Sequence, residues 1–170
     1  MLLCILHMLH DGEKMENAFL QEIINWRHLS ENLATGGQPT KQQLAAVAAA
    51  GYGVVINLGL MNKEYSFANE KSFVESLGLK YVHIPVEWEA PTRADLERFI
   101  AAMKKMNNEK IFVHCAANKR VSVFVALYRI LDEGWSREDA MAGVFDVWSP
   151  NQVWNQFIEH ILKSRNSFSV

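Results

Sequence analysis

The chain has 170 residues, 49% of them hydrophobic, and a net charge of −2, which is typical of one soluble globular domain. This charge argues against nucleic-acid binding, which favours a clear basic excess. Of the two cysteines, Cys4 lies in an N-terminal stretch expected outside the core, which argues against a disulfide framework. A lone interior cysteine suits a reducing compartment such as the cytoplasm. The apolar residues 1–9 are too short to span a membrane, so no membrane association is expected, with a signal peptide and a periplasmic location as the alternative.

Residues 1–30 are predicted to form an N-terminal extension that contains a helix over about residues 16–29, and residues 31–165 a single domain. A loop is predicted over residues 32–39, where Gly36, Gly37 and Gln38 turn the chain before a helix. The predicted helices span residues 40–50, 64–77, 92–106, 120–132, 136–149 and 152–163. The predicted strands span residues 52–58, 79–86 and 110–114. This alternation predicts an α/β fold with a mostly parallel central sheet flanked by helices.

The last predicted strand delivers His114 and Cys115 into a short loop that a helix follows at once. A thiol near a helix N-terminus and near cations ionises more readily than a free cysteine, and the same helix end attracts anions. Ligands of parallel sheets bind beyond the carboxyl ends of the strands, where this loop is expected. The pattern predicts a cysteine nucleophile for a phosphate ester or a sulfur anion. The alternative is that Cys115 is a small buried hydrophobe.

Residues 114–122, HCAANKRVS, resemble the motif of the cysteine-based protein tyrosine and dual-specificity phosphatases: His-Cys, five residues, Arg, then Ser or Thr. The pattern HCAAN-x-R-x-S also resembles a bacterial branch of phosphatase-like proteins, and this likeness extends from about Glu31 to Leu162. It implies a dual-specificity-phosphatase-like fold for residues 31–165. It also implies hydrolysis of a phosphomonoester, phosphotyrosine-like or small, without a cofactor or a metal and with the phosphorylated substrate as the partner.

One residue departs from the motif. Arg120 comes one place early, and Val121 stands where the family has its arginine. Asn118 replaces the usual glycine and is expected to take a positive φ, which Asn tolerates better than most residues. Because one residue turns a helical side chain by about 100°, Arg120 points outward if the loop matches the family without a gap. If the loop is one residue shorter, Arg120 reaches the anion and clamps it.

The resemblance implies a role for each residue of the motif. Cys115 attacks phosphorus, His114 orients the loop and helps to keep the sulfur ionised, and Ser122 donates to the sulfur as the phosphoenzyme breaks down. A core histidine and a helix-capping serine are the structural alternatives. The expected phosphate-binding residues are Ala116, Ala117, Asn118, Lys119, Arg120 and Val121.

The family protonates its leaving group with an Asp about thirty residues before the cysteine. The corresponding stretch, Pro85–Pro91, contains no Asp, and its acids are Glu87 and Glu89. Glu87 is favoured as the general acid because its place at the end of a strand is better fixed. The alternative is that both are solvent-facing loop carboxylates, which is the usual position of Glu.

Two other functions fit parts of the pattern. A rhodanese-like sulfurtransferase also places a cysteine after a strand, and a basic residue five places later matches Arg120. A non-catalytic phosphate-binding protein fits the displaced arginine and the missing Asp. His114 and the acidic residues near Glu87 favour the phosphatase.

Overall fold

A computed structural model describes residues 18–61 and 63–166, so the predictions for Cys4 and the apolar N-terminal stretch lie outside the described residues. Five strands form one sheet in the order β1-β2-β5-β3-β4, and only β1 runs antiparallel to its neighbour. The strands are β1 (Arg27–Ser30), β2 (Leu33–Gly36), β3 (Val54–Asn57), β4 (Lys80–His83) and β5 (Ile111–His114). The predicted α/β fold with a mostly parallel sheet is confirmed.

Helices cover both faces of this sheet, and local sequence sets their ends. Thr40 and Thr92 each accept from the amide three residues later in a capping box, as their sequences predict. Gly51 and Gly78 follow helices with positive φ, which glycine adopts without a steric penalty. The helices are α1 (Lys41–Ala49), α2 (Glu70–Ser76), α3 (Arg93–Lys105), α4 (Lys119–Leu131), α5 (Arg137–Phe145) and α6 (Gln152–Asn166).

Alternate residues of the central strand β5 enter two separate cores. Ile111 and Val113 pack with α3, α4 and α6 around the fully buried Trp154. Phe112 packs on the other face with residues of α1 and α2. Because β5 is buried on both faces, as is usual in parallel sheets, the residues that follow it start from a rigid position.

Three sequence predictions are wrong in this part of the chain. Residues 32–39 do not form a single loop, because β2 lies there and pairs with both β1 and β5. The helix predicted over residues 16–29 is observed only at residues 18–21 of its described part, because Asn25 adopts φ 50° and the chain then enters β1. The helix predicted from Glu64 begins at Glu70, because Asn69 is left-handed and residues 63–69 form turns.

The expected division between residues 30 and 31 falls within the β1–β2 hairpin, where Ser30 pairs with Leu33. Residues on the two sides of that point therefore share one sheet. None of the described helices has the length and apolar character needed to cross a bilayer.

Candidate active site

The residues of the HCAANKRVS motif lie at the carboxyl end of β5, whereas Glu87 and Glu89 lie in the segment after β4. We call residues 115–118 the cysteine loop; they connect His114 to the first residue of α4, Lys119. Asn118 has φ 62°, which confirms the positive φ expected where the family has glycine. Its buried Nδ2 donates to Asn25 O at 2.7 Å and to Thr35 Oγ1 at 3.0 Å. These bonds hold the turn against β2 and the segment before β1.

The carbonyls of the cysteine loop point towards neighbouring backbone and side chains. Ala116 O accepts from the amide of Gln38 at 3.0 Å, and Ala117 O accepts from Asn25 Nδ2 at 3.1 Å. The first helical amide to find a backbone acceptor is that of Ser122, which donates to Asn118 O. Within the described residues, the amides of residues 116, 117 and 119–121 have no acceptor, whereas the antiparallel bridge between Gly37 and Ala117 turns the Asn118 amide towards Gly36 O. The five amides without an acceptor form a set of free donors at the positive end of a helix, which suits an oxyanion.

Cys115 lies at the base of this set with a fully buried side chain. Its amide donates to Gly36 O at 3.3 Å, and its Cα lies 3.7 Å from the point where a Cβ on Gly59 would stand. The burial of the sulfur agrees with a small core residue as well as with a nucleophile. The case for a nucleophile therefore depends on the donors around it.

Arg120 is 6% exposed and lies in the first turn of α4. Its Cζ is 5.4 Å from the centroid of the Trp88 ring, and its Nε is buried without a hydrogen-bond partner among the described residues. No carboxylate in the described part of the chain pairs with it. Val121, which occupies the family's arginine position, is fully buried in the core. Arg120 is therefore turned into the protein, where a charged group needs an anionic or polar partner.

Lys119 and Ser122, which lie on either side of Arg120 in the first turn of α4, contact a different tryptophan. Lys119 is half-buried with its Nζ 5.4 Å from the Trp148 ring. Ser122 Oγ donates to Lys119 O at 2.9 Å and accepts from Trp148 Nε1 at 3.2 Å. The hydroxyl of Ser122 therefore donates its hydrogen bond to a backbone carbonyl of the same helix and not to the sulfur of Cys115.

Glu87 and Glu89 are both exposed, and the half-buried Trp88 lies between them. The Trp88 carbonyl accepts from Trp154 Nε1 at 3.0 Å, and its ring packs on Trp148 and Trp154. The structure therefore fixes the tryptophan of this segment against the core and leaves the two carboxylates in solvent.

A fully buried carboxylate, Glu70, is a site residue that the sequence reasoning missed. Glu70 Oε1 lies 2.9 Å from His114 Nε2 and accepts from Asn57 Nδ2 at 2.9 Å and Tyr81 OH at 3.0 Å. Its Oε2 accepts from Gln38 Nε2 at 2.6 Å. Glu70 is 44 residues from His114 along the chain, and only its place in the first turn of a helix distinguishes it in the sequence.

The hydrogen bonds around Glu70 decide its protonation state. Burial raises the pKa of this carboxyl, but the hydrogen bond and charge of His114, with bonds from Gln38 and Tyr81, outweigh burial and bring the pKa below its ordinary value. Burial, followed by the charge of Glu70, raises the pKa of Tyr81, which therefore stays a neutral donor. Glu70 is ionised at neutral pH and accepts from all four neighbours.

Comparisons with known proteins show which family and fold this chain resembles. The profile of the family "DSP-PTPase phosphatase fused to NAD+ Kinase" matches residues 18–153. A Shewanella putrefaciens CN-32 protein of the DUF442 group, to which a phosphatase function is ascribed, is 31% identical. That match has a TM-score of 0.76 and covers 85% of this chain and 93% of the other.

More distant proteins share the fold. PTPMT1 in complex with PI(5)P is 18% identical, with a TM-score of 0.71 over 85% of this chain and 99% of the other. A cysteine-to-serine variant of P. aeruginosa TpbA with phosphotyrosine is 14% identical, with a TM-score of 0.68 over 86% and 91% of the two chains. A beta-lactamase hydrolase-like protein from Agrobacterium fabrum is 28% identical over 114 residues, 65% of this chain. The chain spans about a quarter of the length of that curated relative.

Gly37 supports the cysteine loop by having no side chain. A Cβ at this position would lie 2.8 Å from Ala116 O and 2.8 Å from Ile24 Cβ, so a Gly37→Ala substitution has to displace the loop. We expect a loss of about 1–3 kcal/mol in the free energy of unfolding, measured by urea denaturation. Gly143→Ala is the matched control, because a Cβ there meets open space in α5 and is expected to stabilise the protein by up to about 1 kcal/mol. Equal unfolding free energies for the two variants would show that the loop tolerates the displacement.

Proposed function

Because the chain belongs to the dual-specificity and protein tyrosine phosphatase family, we propose that it hydrolyses phosphomonoesters with Cys115 as the nucleophile. One observation carries this proposal: five amides without an acceptor and a buried arginine without a carboxylate partner follow a cysteine at the end of a central strand. Such donors suit the equatorial oxygens of a phosphoryl group, which carry the charge in the transition state. A purely structural cysteine does not require them.

The proposed reaction has two steps. The Cys115 thiolate attacks phosphorus, the bond between phosphorus and the leaving oxygen breaks, and a carboxylic acid gives its proton to that oxygen. A water molecule then attacks the thiophosphate and loses a proton to the same carboxylate, and the sulfur–phosphorus bond breaks to return the thiolate. The free amides and Arg120 hold the phosphoryl oxygens through both steps.

The surroundings of the loop favour an aromatic or otherwise bulky phosphate as the substrate. Trp88 and Trp148 are half-buried beside Arg120 and Lys119, so they offer ring faces next to cations. A phosphotyrosine-like group stacks on such surfaces while its phosphate occupies the loop. The phosphotyrosine of the TpbA complex and the PI(5)P of the PTPMT1 complex make both compounds suitable first probes.

The first experiment separates phosphatase from sulfurtransferase activity. We expect the parent protein to release phosphate from p-nitrophenyl phosphate and phosphotyrosine, and Cys115→Ser to lose at least about a hundredfold in kcat, because a serine hydroxyl stays protonated. The same preparations are incubated with thiosulfate and cyanide. Thiocyanate formation without phosphate release would replace the phosphatase with a rhodanese-like activity.

Arg120 is expected to bind the anion despite its displaced position. Isothermal titration with tungstate, a phosphate analogue, should give a Kd about tenfold weaker or more for Arg120→Ala, because a charge-assisted hydrogen bond to an oxyanion is lost. Lys119→Ala is the matched control, since it removes a neighbouring cation that is only half-buried and packs on Trp148. Its Kd should change less than about threefold.

The tungstate titration also identifies a protein that only binds phosphate. Such a protein would show tight binding by the parent and by Cys115→Ser, with no phosphate release from either. An Arg120→Ala protein that binds as well as the parent would place the guanidinium outside the site and leave the amides as the sole ligands.

Glu87 is proposed as the general acid, and Glu89 is its natural control because both are exposed in the same segment. We expect Glu87→Gln to lower kcat about a hundredfold for a phosphate with a poor leaving group, since general acid catalysis supplies that order of rate. For p-nitrophenyl phosphate, whose leaving group needs little protonation, the loss should be smaller. The reverse pattern, with Glu89→Gln defective and Glu87→Gln active, would exchange the two roles.

A further inference from the structure

Glu70 is connected to the cysteine loop from two sides. Its Oε1 bonds His114, whose peptide leads directly into Cys115. Its Oε2 accepts from the side chain of Gln38, whose backbone amide donates to Ala116 O inside the loop. Each carboxylate oxygen therefore binds a different residue next to the loop: His114 precedes Cys115 in the chain, and Gln38 binds the loop at Ala116.

We propose that Glu70 is a positioning residue that keeps the cysteine loop in its anion-binding conformation through His114 and Gln38. This inference rests on the proposed function, because the loop needs this conformation in order to bind phosphate. Glu70 itself is fully buried and acts only through these two residues.

The hydrogen atoms around Glu70 define one arrangement. An ionised carboxylate only accepts, so His114 must carry a hydrogen on Nε2, and this fixes the orientation of its ring. The titratable groups that face Glu70 are His114 from β5 and Tyr81 from β4, while Gln38 and Asn57 contribute uncharged amides. Removal of the carboxylate would take the shared acceptor from these four donors and leave Gln38 with its long bond to Pro39 O and Asn57 with its bond to Tyr81 OH. We expect the loop to follow the movement of His114 and Gln38.

A glutamine at position 70 is the conservative replacement that preserves this arrangement. Its Oε1 can still accept from His114, and its amide NH₂ then faces Gln38. Gln38 Oε1 is buried without a hydrogen-bond partner among the described residues, so a flip of the Gln38 amide turns this free acceptor towards the new donor. Glu70→Gln should therefore rescue the positioning that Glu70→Ala removes.

The test compares the parent protein with Glu70→Ala, Glu70→Gln and Val74→Ala. Val74 is the matched control because it is fully buried on the same helix, packs in the apolar core and has no polar atom in its side chain to hold the loop. Two-dimensional ¹H–¹⁵N NMR spectra should show the amides of residues 115–119 displaced in Glu70→Ala, near their parent positions in Glu70→Gln, and unchanged in Val74→Ala. Tungstate titrations of the same proteins should show about tenfold weaker binding for Glu70→Ala alone.

The proposal would be overturned if the loop amide signals of Glu70→Ala stay where they are in the parent protein. It would also be overturned if Val74→Ala displaces these signals as much as Glu70→Ala does. If Glu70→Ala does not fold, Gln38→Ala takes its place, because it breaks one of the two connections and should displace the amides of Ala116 and Ala117. A parent protein without affinity for tungstate would contradict the proposed function, while the NMR spectra would still decide the role of Glu70.

Discussion

The left-handed turn at Asn118 is the constraint on which the site depends. Because Asn118 has φ 62°, the backbone turns sharply at the end of the cysteine loop, and α4 begins at the next residue. The loop carbonyls accept hydrogen bonds from Gln38 and Asn25, while the amides of residues 116, 117 and 119–121 have no acceptor among the described residues. A residue with a branched side chain would strain this turn, and a glycine would lose the buried bonds to Asn25 and Thr35.

Much of this region follows from local sequence. The run of apolar residues before His114 predicts a buried strand, and the capping residues Thr40 and Thr92 predict where helices begin. Asn118 is predictable because the tight turn requires a residue that accepts a positive φ. These features depend on neighbours within a few residues, so the sequence carries the necessary information.

The features that the sequence did not predict depend on contacts between distant segments. Strand β2 has only four residues and ends in a glycine, and it is a strand because β1 and β5 offer hydrogen bonds on both edges. Glu70 looks like an ordinary surface residue of a helix start, yet the fold brings it to His114, Gln38, Asn57 and Tyr81 from four other segments. Neither periodicity nor spacing in the sequence predicts these contacts, because a carboxylate can be buried only where the fold supplies hydrogen-bond donors for it.

The start of α4 explains why Arg120 and Val121 have different surroundings. Since the helix begins directly after Asn118, Arg120 and Val121 lie about 100° apart around its axis. Val121 fills the core, and Arg120 lies against Trp88, in the segment where the family has its acidic residue. Arg120 and the segment after β4 are therefore in contact, because the guanidinium lies over the indole ring of Trp88. An arginine placed at position 121 instead of 120 would bury a charge among apolar side chains and leave Trp88 without its cationic partner.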